Sequence, residues 1–222
     1  MPPSTTRALF FRNARELLTL AGPPAPRRDA ALRELGIVRD GAVLVSGAEI
    51  LSVGRTPSLE AEARRLKADE INCRGRVLMP GFVDSHTHLI FAGDRVEDYE
   101  ARLRGKTYEE IARAGGGIRF SAQLVRRATV SELVAQARGF LETFAAHGTT
   151  TVEVKTGYGL DVANELKSLE AIRRLRKTSP LELVSTLLAA HALPPQYRRR
   201  RAAYIRLLTE RLIPLVARKK LA

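Results

Sequence analysis

After Pro80 the sequence changes three times from a short apolar stretch to an amphipathic helix, and this alternation is the strongest constraint on its fold. The predicted strands begin at Gly81, Thr149 and Leu181. Strands separated by helices pair in parallel through right-handed crossovers, because each helix carries the chain back to the same end of the sheet. Residues 81–222 are therefore predicted to form an α/β domain.

The first 80 residues have a different pattern, in which short apolar stretches alternate with turn residues. Asp40 and Gly41 lie between two such stretches, a combination typical of a tight β-hairpin turn. Residues 1–80 are predicted to form a small β domain, with a domain boundary close to Pro80.

Short sequence patterns indicate where two of the helices begin. Thr107 and Thr129 are each followed three residues later by a glutamate, Glu110 and Glu132, which is the pattern of a capping box. These threonines are predicted to begin helices.

Composition limits the class of protein and the compartment. Hydrophobic residues make up 45% of the 222 residues, which is enough for a buried core. Cys73 is the single cysteine, so no disulfide can form within the chain, and a reducing compartment such as the cytoplasm is predicted. No apolar run approaches the roughly 20 residues that a membrane span requires, so no membrane association is expected.

The chain is strongly basic, with 37 Lys and Arg residues against 24 Asp and Glu and a formal charge of +13. A basic nucleic-acid-binding protein is one interpretation of this charge. Aromatic residues make up only 5%, tryptophan is absent, and the arginines fall mostly on predicted helices. Solvated helix faces are the preferred explanation and no nucleic-acid partner is expected, although nucleic-acid binding stays open as an alternative.

Two histidines at the end of the first predicted strand are the central chemical signal, in the run PGFVDSHTH at 80–88. Side chains two residues apart on a strand point to the same side, so His86 and His88 can direct both imidazoles at one metal ion. Neutral imidazole is a ligand for zinc, iron and similar metals. A lone His-x-His is a weak signal, but its place directly after an apolar strand favours a metal site.

Two further polar residues also follow predicted strands. Tyr158 lies between two glycines after the second strand, and His191 follows the third. Taken singly, a packed loop tyrosine and a structural histidine are the simpler explanations. In a β/α barrel, however, the C-terminal ends of the strands share the face that carries the active site, so these residues are expected to meet His86 and His88.

Four segments of the chain resemble the imidazolonepropionase family of the amidohydrolase superfamily, at 80–95, 103–118, 149–160 and 191–197. The most specific likenesses are the HTHL run followed by Gly-Asp-Arg, the RLRGKTYEEI run with its triple glycine, and the KTGYGL run. The resemblance covers nearly the whole chain and is looser before residue 36.

The resemblance implies a fold and a site. Residues 81–222 would be an incomplete TIM-type (β/α) barrel containing the first three or so βα units, and residues 1–80 the N-terminal part of a small β-sandwich-like domain. His86 and His88 would bind one metal ion, zinc or iron. Arg95, Tyr158 and His191 would line the substrate pocket, with Arg95 facing a substrate carboxylate and His191 acting as a catalytic residue.

The implied activity is metal-dependent hydrolysis of the ring C–N amide bond of 4-imidazolone-5-propanoate to N-formimidoyl-L-glutamate, a step of histidine degradation. The metal would activate a water molecule and polarise the ring carbonyl. Another amidohydrolase that opens a cyclic amide, or a deaminase, is the alternative within the superfamily, because the run at 80–88 alone would also fit those enzymes.

The length departs from the family. A complete barrel needs about 250 residues, whereas 222 − 80 = 142 follow Pro80. The later histidine and aspartate ligands of the family have no counterpart here. We therefore expect an N-terminal piece of a longer enzyme, inactive by itself and prone to aggregate because its third strand keeps an unpaired edge. A homodimer is a further expectation for the full-length protein.

Overall fold

The computed structural model describes residues 7–23 and 25–222, so the first six residues of the predicted β domain, and Pro24, lie outside it. The chain folds as two compact units, which divide between Pro80 and Gly81. No helix within the described ranges is long and apolar enough to cross a membrane.

The first unit is a five-stranded sheet with one α-helix. The elements are β1 (Leu9–Leu18), β2 (Ile37–Ser46), β3 (Glu49–Arg55), α1 (Thr56–Arg65), β4 (Asp69–Asn72) and β5 (Val77–Leu78). The strand order is β3-β2-β1-β4, with β5 also paired to β1. Strand β2 is antiparallel to both of its neighbours, whereas β4 and β5 run parallel to β1. A short 3-10 turn, Asp29–Arg33, precedes β2.

The core of this unit is formed by Phe10, Ala42 and Leu44 of the sheet with Leu59 and Ala63 of the helix.

The predicted hairpin turn at Asp40 and Gly41 is wrong, since both residues lie inside the continuous strand β2. The chain reverses later, at Gly47, whose φ of +59° is a left-handed conformation that glycine adopts without strain. Gly41 has a different role, because a Cβ there would come within 2.3 Å of the Leu17 Cβ on the paired strand. Close strand pairing, not a turn, explains that glycine.

The second unit contains a three-stranded parallel sheet whose strands are connected by helices. The strands are β6 (Phe82–Thr87), β7 (Thr149–Lys155) and β8 (Glu182–Thr186), in the order β6-β7-β8. The predicted mixed α/β class is confirmed. The connecting helices are α2 (Val96–Leu103), α3 (Tyr108–Arg113), α4 (Ile118–Arg127), α5 (Val130–Ala146) and α6 (Val162–Arg176).

The core of this unit lies between one face of the sheet and the helices. Val152 and Val154 of β7 are fully buried in one cluster with Leu169 and Ile172 of α6 and Leu183 of β8. Side chains alternate along a strand, so Thr151, Glu153 and Lys155 face the other way. One face of the sheet therefore packs against the helices, whereas polar residues can occupy the ends of its strands.

Both predicted helix starts are confirmed. The Thr107 hydroxyl accepts the N–H of Glu110, whose carboxylate accepts the N–H of Thr107 in return. Thr129 and Glu132 make the same reciprocal pair at the start of α5. Each box satisfies two N–H groups that the first helical turn would otherwise leave free.

The C-terminal helical segment is not uniformly α-helical. It consists of α7 (Arg201–Arg206), a π-helical turn (Leu207–Leu212) and α8 (Ile213–Lys219). Pro214 lies in the first turn of α8. Inside a helix, proline has no N–H to donate and its ring clashes with the carbonyl four residues earlier, so a widened turn before it relieves the clash.

Candidate functional site

The end of β6 holds the two predicted metal-binding histidines. His86 is the fifth residue of the strand, and His88 lies just beyond it. Asp84 shapes this end, because its carboxylate accepts the N–H of His86 at 3.0 Å and the hydroxyl of Thr87 at 2.8 Å. The two imidazole centroids are 5.6 Å apart, so the rings are close neighbours.

His88 is the more enclosed of the two. Its Nδ1 and Nε2 atoms are buried and have no hydrogen-bond partner among the described residues. Burial, together with the neighbouring His191 and His86 rings, lowers the pKa of His88 to about 4. At neutral pH the ring is therefore uncharged, which is the state in which imidazole binds a metal.

Tyr158 is brought to the same place by the loop after β7. Its ring stacks on His88, with centroids 5.0 Å apart and an interplanar angle of 27°. Gly157, just before it, has φ of +123°, a conformation that residues with a Cβ rarely adopt. The β7 loop thus turns sharply at Gly157 and presents Tyr158 to His88.

His191 ends a short 3-10 turn after β8, Ala189–His191. Its ring centroid is 4.5 Å from that of His88 and 5.8 Å from that of Tyr158. The turn is tied to the β7 loop, because the Thr156 hydroxyl accepts the N–H of Leu188 at 3.0 Å. Burial lowers the pKa of His191, and His86 adds to the effect.

Arg95 is exposed and sits at the N-cap position of α2. It lines a cavity of about 260 Å³ together with His88 and Tyr158; the other lining residues are Phe91, Ala92, Gly93, Asp94 and Ser121. The structure thus brings all five predicted site residues into one region. Arg95 contributes to the cavity wall, whereas His191 contacts the site through the His88 and Tyr158 rings.

The histidine pair has the chemistry of a partial metal site. Within residues 7–23 and 25–222, no three His, Cys, Asp or Glu side chains come together in a group that could hold a metal ion. His86 and His88 fit two ligand positions, and the unpartnered ring nitrogens of His88 agree with that use. A catalytic zinc site usually takes three protein ligands, so this pair is one short.

A polar pair beside the histidines is missing from the sequence prediction. Glu153 accepts hydrogen bonds from Lys155 and from the Thr186 hydroxyl on β8. The Lys155 bond holds the pKa of Glu153 below its usual value. The signal was present in the alternation of β7, where charged residues at 153 and 155 share the face opposite Val152 and Val154.

Comparison with known proteins finds many similar enzymes. A model of the amidohydrolase family matches residues 69–123. Imidazolonepropionase of Chloroflexus aggregans is 49% identical over 93% of this chain and 48% of its own length. The enzymes of Geobacillus thermodenitrificans and Myxococcus xanthus are 44% and 46% identical, over 97% and 96% of this chain and 52% and 50% of their own lengths. The predicted resemblance to imidazolonepropionases is confirmed. The chain spans about half the length of the curated relatives it matches.

The fold has a counterpart among solved structures. A crystal structure of a triazine hydrolase variant superposes with a TM-score of 0.56 at 17% identity, covering 91% of this chain and 43% of that chain. At this identity the likeness concerns the fold alone.

Proposed function

We propose that this chain is part of an imidazolonepropionase, which hydrolyses the ring C–N amide bond of 4-imidazolone-5-propanoate to N-formimidoyl-L-glutamate. The observation that carries the proposal is the cavity where His88, Tyr158 and Arg95 meet, in a chain 49% identical to an imidazolonepropionase. A volume of about 260 Å³ suits a small molecule rather than a polymer.

The site residues have distinct roles in this proposal. Arg95 recognises the propanoate carboxylate, because a guanidinium can donate two parallel N–H bonds to its two oxygens. Tyr158 offers a flat ring and a hydroxyl to the planar imidazolone. His191 is kept neutral at pH 7 by its lowered pKa, so it can accept a proton from the attacking water and pass it on.

His86 and His88 would hold the metal ion, zinc or iron. When bound, the ion would polarise the ring carbonyl and make water a stronger nucleophile. The residues of this chain do the rest, since the buried and uncharged His88 offers a free ring nitrogen and Asp84 fixes the strand end beneath both histidines.

The architecture in this proposal is an incomplete TIM-type barrel. The parallel order β6-β7-β8, with connecting helices, supports the assignment of residues 81–222 to its first three βα units. His86 lies on β6 and His88 just beyond it, Arg95 is the N-cap residue of α2, and the other proposed site residues, Tyr158 and His191, follow β7 and β8. Residues 1–80 would be the N-terminal part of a β-sandwich-like domain.

The test is consumption of 4-imidazolone-5-propanoate by the product of the complete gene, with zinc or iron supplied. We expect turnover that falls by roughly 100-fold or more in His88→Ala, because a metal ligand is lost. His147→Ala is the matched control. That ring lies against the Thr143 carbonyl at the end of α5, so its loss should leave turnover unchanged.

The 222-residue chain assayed alone is expected to show no turnover, since its relatives are twice as long and it contributes two metal ligands. A folded, metal-loaded full-length protein that leaves the imidazolone intact would contradict the proposal. Release of ammonia from another substrate by the same preparation would favour a deaminase instead.

A further inference from the structure

A buried carboxyl lies behind the site. Glu165 is the fourth residue of α6, is 0% exposed, and lies on the same buried face of the helix as Leu169 and Ile172. Glutamate is rarely buried so completely unless it is paired. Within the described residues Glu165 makes no ion pair with a lysine or arginine, so its place on this face needs another explanation.

The hydrogen bonds of Glu165 lead to the loop after β7. Its Oε1 atom accepts the N–H of Gly159 at 2.8 Å and the N–H of Leu160 at 3.0 Å. Burial raises the pKa of this carboxyl. One oxygen thus satisfies two consecutive amides of the loop that carries Tyr158, inside a region closed to water.

These bonds are not a helix cap. The N-cap of α6 is Asp161, whose carboxylate accepts the N–H of Asn164 at 2.8 Å. Glu165 lies one turn further along the helix and reaches back beyond the cap to the loop. Its removal would therefore leave the start of α6 intact and free two loop amides.

The loop, residues 157–160, needs such support. Leu160 has φ of +57°, a left-handed conformation that is unfavourable for a residue with a side chain. Gly159 packs so closely on α6 that a Cβ there would lie 2.4 Å from the Glu165 backbone nitrogen. The loop is thus pressed onto the helix in a conformation that its own sequence does not favour.

The 157–160 loop determines the geometry of the site in two ways. It carries Tyr158, which stacks on His88 at 5.0 Å. Its backbone at Gly157 also touches His191, since a Cβ there would lie 2.8 Å from the Cβ of that histidine. A shift of the loop would move the tyrosine and remove one wall of the histidine.

We propose that Glu165 is a positioning residue that holds the 157–160 loop so that Tyr158 is fixed against His88 and His191. The inference rests on the proposed function only in the claim that Tyr158 contacts the substrate. The hydrogen-bonding part stands on the geometry alone and can be measured without turnover.

The first measurement is hydrogen exchange by mass spectrometry on the full-length protein, read on peptides covering 156–162. In Glu165→Ala we expect exchange in this loop to rise by about 10-fold or more, because two amides lose their acceptor. Glu165→Gln keeps an acceptor oxygen and should stay within about threefold of the parent. Glu170→Ala, on the same helix but bonded to Arg173 and Arg174, should leave the loop unchanged.

A purely structural role gives a different pattern. If Glu165→Ala raises exchange evenly across β7, α6 and the loop, or leaves the loop as protected as before, the proposal is overturned. Should Glu165→Ala fail to fold, Glu165→Asp provides the same test, because its carboxylate is one methylene too short to reach both amides.

The second measurement is a double-mutant cycle on turnover of 4-imidazolone-5-propanoate. If Glu165 acts through the tyrosine, Glu165→Ala should raise KM in the parent and have little further effect in Tyr158→Ala. Equal effects in both backgrounds would show that Glu165 acts by another route. A parent without turnover, combined with the expected exchange pattern, would reject the proposed function and leave the positioning role standing.

Discussion

The substitution Gly157→Ala tests the geometry of the β7 loop most directly. Alanine at φ of +123° is strained by about 1–3 kcal/mol. The new Cβ would also lie 2.8 Å from the His191 Cβ and 3.0 Å from the Leu188 carbonyl oxygen. Crowding of this kind typically costs about 1–3 kcal/mol. The free energy of unfolding is therefore expected to fall by about 2–6 kcal/mol.

Urea denaturation monitored by circular dichroism measures this loss, and Gly139→Ala is the matched control. Gly139 lies inside α5, and a Cβ there meets nothing within 4 Å. The same chemical change should stabilise the protein by about 0.5–1 kcal/mol, because alanine favours helix more than glycine does. If the two variants shift the urea midpoint in the same direction, or Gly157→Ala is as stable as the parent, the loop geometry described here is wrong.

Three further predictions concern pH, a helix start and the core. In metal-free protein the pKa of His88 is about 4 against 6.5 in an unfolded chain, so the unfolded state binds the proton first and stability falls as pH drops through this window. We expect the free energy of unfolding to fall by on the order of 1–3 kcal/mol across this window, after allowance for solvent screening. The loss should be absent in His88→Asn. Urea denaturation of both proteins at several pH values measures it, and the same pH dependence in the two would contradict the prediction. Thr129→Ala should lower the free energy of unfolding by about 1 kcal/mol, and Thr129→Ser should keep most of the parent's stability. Thermal melts measure both variants, and an unchanged melting temperature in Thr129→Ala would show that the capping box does not stabilise the protein. Leu169→Ala, at a fully buried position, should lower the unfolding free energy by about 2–5 kcal/mol, and a loss under 1 kcal/mol in urea would contradict the packing of α6.

The gathering of the site residues could be predicted because a single rule places them. Parallel strands end at one edge of a sheet, so residues that directly follow successive strands become neighbours whatever the intervening sequence does. His88, Tyr158 and His191 obey this rule across about a hundred residues of chain. Arg95 needed the resemblance, because nothing in its local sequence separates it from the other exposed arginines.

Local signals fail where tertiary contacts decide the conformation. Asp40 and Gly41 carry the residues of a hairpin turn, but β2 continues through both of them. Asp40 has a left-handed φ of +50° within the strand, and the glycine clears Leu17. At Gly157 the sequence shows only a flexible residue. A glycine is required at position 157 because His191 approaches it closely. His191 follows a different strand, so this contact cannot be predicted from the residues that flank Gly157 in the sequence.

Glu165 illustrates a buried charge that the sequence could predict and a partner that it could not. Glu165 lies four positions before Leu169 and seven before Ile172, so it falls on the same helical stripe and the sequence alone places a carboxyl among core side chains. Such a conflict means either that the helix is misassigned or that the fold brings the carboxyl a partner. Helical spacing over the rest of α6 rules out the first explanation. The identity of the partner lay beyond the sequence, because it is the backbone of the loop at Gly159 and Leu160 and not a side chain of complementary charge.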